Sequence, residues 1–160
     1  MQMTKSQIFP VSRTTIFTRD IKKSLLFWQK LMGLSKVIDA MIPNPGASKI
    51  LGQKCDFLRV VVLSSSDLEI GNIGIAEIIG GEEKIKSKPI FFDVQYGETC
   101  IVIRTKDLKK LLTDIKSFEC SIISYPTKLD LPIKEEVWEM FLRDPDGTLI
   151  NLSHHGPWEE

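Results

Sequence analysis

Cysteine is scarce in this chain of 160 residues, and a long apolar run is missing. The three cysteines, Cys55, Cys100 and Cys120, are odd in number, widely spaced and form no C-x-x-C pair. That excludes a disulfide framework and suits reduced thiols in the cytosol. Nor is a staple needed, because a chain this long buries roughly 70% of its unfolded surface on folding. The apolar run Leu58–Leu63 is broken by Arg59, and ~20 such residues are needed to cross a bilayer. Met1–Pro10 is polar and lacks the apolar centre of a signal peptide. Net charge is missing as well: 21 Lys+Arg balance 21 Asp+Glu. This excludes the basic excess of a nucleic-acid binder. With 42% hydrophobic residues the composition is not that of a disordered chain. The expectation is a cytoplasmic globular domain with neither nucleic acid nor membrane as partner.

The zero total hides a segregation. From Met1 to Lys36 seven basic residues face Asp20 alone, a balance of +6. From Glu135 to Glu160 Arg143 stands alone among seven acidic residues, a balance of −6. Either each end presents a solvated face, or the two ends lie side by side and attract.

What is present is a repeat. Thr18-Arg19-Asp20-Ile21-Lys22-Lys23-Ser24-Leu25 reads onto Thr105-Lys106-Asp107-Leu108-Lys109-Lys110-Leu111-Leu112 at an offset of 87, with five of eight positions identical. Each copy follows a strand-like run, Thr14–Thr18 or Ile101–Thr105, and opens a helix at an N-cap aspartate, Asp20 or Asp107. The first helix carries an apolar stripe of Ile21, Leu25, Trp28 and Met32 and stops at Gly33; the second carries Leu108, Leu111, Leu112 and Ile115. Burying about four such side chains is worth on the order of 6–12 kcal/mol gross per helix, so both need a sheet to lie on. Strand-like runs follow at Ser35–Asp39, Phe57–Ser64 and Ile73–Ile79, and again at Ser121–Tyr125, Val137–Arg143 and Thr148–Ser153. The last two flank Asp144-Pro145-Asp146-Gly147, a strong hairpin turn. Both halves therefore read β-α-β-β-β. Met41–Lys54 and Gly80–Glu98 read as longer connections.

Three stretches carry a family resemblance: Thr18–Leu34 (TRDIKKSLLFWQKLMGL), the repeat at Thr105–Ile115, and Phe141–Leu152 (FLRDPDGTLINL). In order and spacing the chain resembles the vicinal oxygen chelate superfamily, which includes glyoxalase I, extradiol dioxygenases and bleomycin-resistance proteins. The resemblance implies an α+β fold of paired βαβββ modules forming a U-shaped, partly open eight-stranded sheet around a cavity. It gives one domain over residues 1–160, with a first module at about 11–80, a linker at about 81–98 and a second module at about 99–155. Whether the modules pair within one chain or swap between two stays open.

In metal-dependent members four ligand positions face the cavity, at the start of each module's first strand and on its last strand. Carried onto this chain, the resemblance puts them at Arg13, Glu77, Cys100 and Asn151, with Arg13 and Cys100 each seven residues before their aspartate. A divalent ion wants several N or O donors, and only Glu77 is an ordinary hard ligand. Cys100 could serve zinc as a thiolate, and Asn151 is a weak neutral donor. Arg13 cannot donate a lone pair and repels a cation. It has two readings: an ion pair with Glu77, or a fork for an anionic ligand group. Glu77, in an apolar run, is the one candidate proton shuttle. Cys100 reads as a small buried thiol. His154 and His155, adjacent on a strand, point to opposite faces and cannot jointly chelate one ion. Trp28 reads as core; Trp138 and Phe141 either pack or line the cavity.

The expected function is a glyoxalase/bleomycin-resistance-like protein that binds a small, partly apolar organic molecule, with or without an anionic group, through Arg13, Glu77, Cys100 and Asn151. It acts as a homodimer, with no tightly held metal or other cofactor. The alternative is a metal-dependent lyase, isomerase or dioxygenase-like enzyme using Glu77 and Cys100. A third reading is an interaction domain without a working pocket.

Overall fold

Asp20 and Asp107 each end a strand and begin a helix, so the architecture is laid down twice. The computed structural model describes residues 10–66, 70–81, 90–118 and 120–158; Lys5, Glu159, Glu160 and much of the expected linker lie outside them. In the first half β1 (Arg13–Thr18) leads to α1 (Ile21–Leu25), where Asp20 Oδ1 accepts the Lys22 and Lys23 amides at 3.1 and 3.2 Å. β2 (Ser35–Pro43), α2 (Gly46–Leu51), β3 (Cys55–Ser64) and β4 (Asn72–Gly81) follow. In the second half β5 (Cys100–Arg104) leads to α3 (Leu108–Ile115), capped by Asp107 through the Lys110 amide at 2.8 Å. Then come β6 (Ser121–Ile122), β7 (Thr127–Leu129), β8 (Val137–Arg143) and β9 (Leu149–His155).

α1 runs into a π-helical turn over Leu26–Leu31 and stops at Gly33, whose φ of +73° suits glycine. The wide turn holds an extra residue, so the buried stripe slips. Ile21, Phe27, Trp28 and Leu31 are buried, whereas Leu25 and Met32 are only partly so. α2 lies within a stretch expected to be irregular. It is six residues long, too short for a helical period to show, and Ala47 holds it against Leu58 and Ala76. β6 ends early because the Ile123 and Ser124 amides both turn to the Phe141 carbonyl, at 2.8 and 3.1 Å.

The paired modules are present, but not as one eight-stranded sheet. The strands form a four-stranded sheet, β1-β4-β3-β2, and a five-stranded one, β5-β9-β8-β6 with β7 on β8. In each, the first strand runs parallel to the last and the other pairs are antiparallel. Both first strands are edges, and no ladder joins β1 to β5 among the described residues.

One core joins the halves. Ile16, Val61, Leu63, Ile73 and Ile75 of the first sheet pack with Met140, Leu142, Ile150 and Leu152 of the second around Phe27, Trp28, Leu108 and Ile115. Each strand thus has a core face and, with period two, a far face. The modules also meet at the hairpin: Trp28 Nε1 donates to Asp144 Oδ2 at 3.1 Å and the Ser24 hydroxyl to the Asp146 carboxylate. The oppositely charged ends therefore do approach, but these bridges are made by neutral donors. Farther along the acidic end, Glu135 and Glu136 pair with Arg104 and Lys128 of their own module.

Candidate functional site

The far faces differ between the modules. On the first sheet α2 covers Leu58 and Ala76, with Ile42, Val60 and Ile78 packed beside them. The β1 end of that face stays open and carries Arg13, Thr15 and the half-exposed Phe17, since Ile16 points to the core. On the second sheet Ile101, Ile103, Met140, Leu142, Ile150 and Leu152 point to the core. The far face is then Cys100, Val102 and Arg104 on β5, Asn151, Ser153 and His155 on β9, and Glu139, Phe141 and Arg143 on β8. It is much the more polar of the two.

Between the unpaired edges of β1 and β5 runs a seam that holds a cavity of about 520 Å³. Arg13, Thr14 and Asn72 line it from the first module, Cys100, Val102 and Arg104 from the second. The structure therefore brings Arg13 and Cys100 to one cavity. Among the described residues Arg13 has no ion-pair partner.

Glu77 is elsewhere. It shares the core face with Ile73 and Ile75, and its Oε1 accepts the Ile21 amide at 3.3 Å, anchoring the start of α1. On the β1–β4 ladder Glu77 lies opposite Thr18, whereas Arg13 lies opposite Asn72. Five residues of strand, about 17 Å, and opposite faces separate the two charges. The expected Arg13–Glu77 ion pair is not formed, and Glu77 does not join Cys100.

The ladders correct the position. Val102 pairs with Asn151 on β5–β9, and its counterpart Thr15 pairs with Gly74 on β1–β4. The far-face equivalent of Asn151 is therefore Gly74. A Cβ there would lie 2.6 Å from Thr15 Oγ1 and 2.9 Å from Arg13 Cδ. The arm of Arg13 crosses the backbone at Gly74, filling the space a side chain would need.

On the second sheet Cys100, Asn151 and Glu139 fall on three successive strands. Burial pushes the Cys100 thiol above its ordinary pKa; a hydrogen bond from the Asn151 backbone opposes this, and the Glu98 and Glu139 carboxylates add to it. Cys100 is thus a protonated thiol at neutral pH, neither a ready nucleophile nor a ready thiolate ligand. Asn151 is buried, and its Nδ2 donates to Glu139 Oε2 at 2.9 Å. Glu139 was missed in the sequence. The hairpin register that sets Phe141 opposite Asn151 also brings Glu139 beside it, a count available from the Asp144–Gly147 turn. Phe141 is on this far face; Trp138 is on the core side, with its ring 4.8 Å from Trp158. The two histidines diverge as expected: His154 Nδ1 lies 3.3 Å from the Thr105 carbonyl, and His155 Nδ1 lies 2.9 Å from Glu135.

The fold of the chain recurs in solved structures. A glyoxalase family protein from Bacillus cereus superposes over 98% of this chain and 100% of its own with a TM-score of 0.73 at 12% identity. The chain has the vicinal oxygen chelate fold. Leishmania major glyoxalase I, described as trypanothione-dependent, matches over 92% of this chain and 87% of its own, with a TM-score of 0.59 and 18% identity. A glyoxalase/bleomycin resistance protein/dioxygenase superfamily member from Sphaerobacter thermophilus matches over 93% and 99%, with a TM-score of 0.54 and 18% identity. No protein-family model and no curated protein matches the sequence. No helix among the described residues is long and apolar enough to cross a membrane.

With the register corrected, the four positions to which the resemblance assigns metal ligands carry Arg13, Gly74, Cys100 and Asn151. They offer a guanidinium, no side chain, a protonated thiol and an amide already engaged by Glu139. That donor set does not fit a divalent ion.

Proposed function

We propose that the protein binds a small organic molecule with a carboxylate or similar anionic group in the seam between its two sheets, and that it does so without a metal. The observation that carries this reading is Arg13: a permanent cation that lines the cavity, pairs with no described carboxylate and lies across Gly74. A guanidinium fork matches a carboxylate in bidentate fashion, and its charge is independent of pH in the working range. Val102, 67% exposed, and Val11, 77% exposed, line the same cavity and offer apolar surface for the rest of the molecule.

Titration calorimetry with octanoate tests the reading. Arg13→Ala is expected to weaken binding by at least ~1.5 kcal/mol, the lower range for a charged hydrogen bond. Unchanged affinity would remove Arg13 from the site. Gly74→Val changes no charge but displaces the arm of Arg13, so it is expected to weaken octanoate in the same direction. Elemental analysis of protein prepared without chelator should find well under one transition metal per chain. Near-stoichiometric metal that is lost in Cys100→Ser would support the enzymatic alternative instead.

A further inference from the structure

Two unpaired charges of opposite sign remain in this region, and they are not near enough to satisfy each other. Arg13 lines the seam cavity from β1. Glu139, on β8, has no ion-pair partner among the described residues. Cys100 connects their surroundings: it lines the cavity with Arg13 and starts β5, the strand paired with the one that carries Asn151.

The Asn151 side chain adds an independent sign. It is 97% buried, and because its Nδ2 must face the Glu139 carboxylate, its orientation is not interchangeable. Its Oδ1 is then a buried acceptor with no protein donor. A buried acceptor without a donor is costly and uncommon. The far face of the second sheet thus holds one buried acceptor without a donor, Asn151 Oδ1, beside a carboxylate, Glu139, that accepts from the Asn151 amide but has no cation among the described residues. The other charged residues of that face are engaged: Arg143 with Glu98, and Arg104 and His155 with Glu135.

We infer that the ligand is a zwitterion, with its anionic group on Arg13 and an ammonium-type cation, rich in N–H donors, on Glu139 and Asn151. This rests on the seam-binding reading and narrows it. Strands are about 4.8 Å apart, so the step from β5 across β9 to β8 spans roughly 10 Å, and Arg13 stands farther still, on β1 across the seam from β5. The two ligand charges are therefore well separated, as in an ω-amino acid or a short peptide, and not as in a simple α-amino acid.

The test compares 8-aminooctanoate, octanoate and octylamine on the full chain. The amino acid is expected to bind at least ~10-fold more tightly than octanoate. Glu139→Gln, which keeps the shape of the side chain, should erase that advantage and leave octanoate affinity in place. Arg13→Ala should weaken both acids. Equal binding of octanoate and 8-aminooctanoate to the unmodified protein would overturn the zwitterion while leaving the anionic seam intact, as would an advantage that survives Glu139→Gln. Failure of both acids to bind would overturn both readings. The comparison on the unmodified protein decides the matter even if Glu139→Gln does not fold.

Discussion

An Arg143→Ala variant is expected to lose about 3–5 kcal/mol of stability, the usual cost of removing one partner from a buried ion pair. Arg143 is 2% exposed and Glu98 8%. The guanidinium meets both Glu98 oxygens and also donates to the Gly147 and Asp93 carbonyls, each at 2.9 Å. Truncation strands one buried carboxylate and two carbonyls at once. It also releases the segment that enters β5, because Glu98 Oε2 accepts the Gln95 amide at 3.1 Å and Asp93 is held through its carbonyl. Urea unfolding measures the loss. A Glu98→Gln/Arg143→Met double variant should recover part of it, since no charge is then left buried, but the two carbonyls stay unpaired. Equal stability of Arg143→Ala and the native chain would mean that water reaches Glu98 freely. Hydrogen exchange over 90–98 should rise in the single variant.

Arg143 also marks the limit of what local sequence shows. The repeat, the aspartate caps and the Asp144–Gly147 turn are local patterns, and the structure contains each of them, with Gly147 at a φ of +83°. The first-strand positions followed directly, because Arg13 and Cys100 start β1 and β5 at the same distance before their caps. The last-strand positions did not follow. The first strands are offset by 100 − 13 = 87 residues, but their ladder partners Asn72 and Leu149 by only 149 − 72 = 77. The two halves connect helix to last strand through segments of different length. Pairing register is a long-range property, and a three-residue error moved the expected site from Gly74 on the far face to Glu77 on the core face. The missing side chain at Gly74 carries no pattern of its own. The partner of Arg143 is likewise a residue 45 positions away. The slipped helix stripe has the same origin, since packing against both sheets selects Phe27 and Leu31 over Leu25 and Met32.

Acidification from pH 7.5 should stabilise the protein through Asp144. In the sequence this residue reads only as the first of a hairpin turn; in the fold it is 3% exposed, between the hairpin and Trp28. Burial raises its pKa to about 6, and the nearby Asp146 charge adds to the shift. The amides of Asp146 and Thr148, at 3.0 and 2.8 Å from Oδ1, and Trp28 Nε1 oppose it without cancelling it. Because the folded state holds this proton more tightly than the unfolded state does, stability falls as pH rises between 3.8 and about 6. The contribution is fully present below that window and gone above it, and its full size is ~3 kcal/mol at 1.36 kcal/mol per pH unit. Asp39 acts in the opposite sense but at lower pH: Arg59 holds its carboxyl down to about 2, so its contribution is lost only in strong acid. Asp144→Asn removes the titration while keeping an acceptor for the two turn amides. Its amide then faces the Trp28 N–H, so its absolute stability shifts as well, and the informative quantity is the slope. The stability difference between native and Asp144→Asn protein should change by ~1.5 kcal/mol between pH 7.5 and 5, approaching ~3 kcal/mol below pH 4. A difference that stays flat across that range would mean that Asp144 ionises in the fold as freely as in water, and that the contact between the two modules at Trp28 is open to solvent.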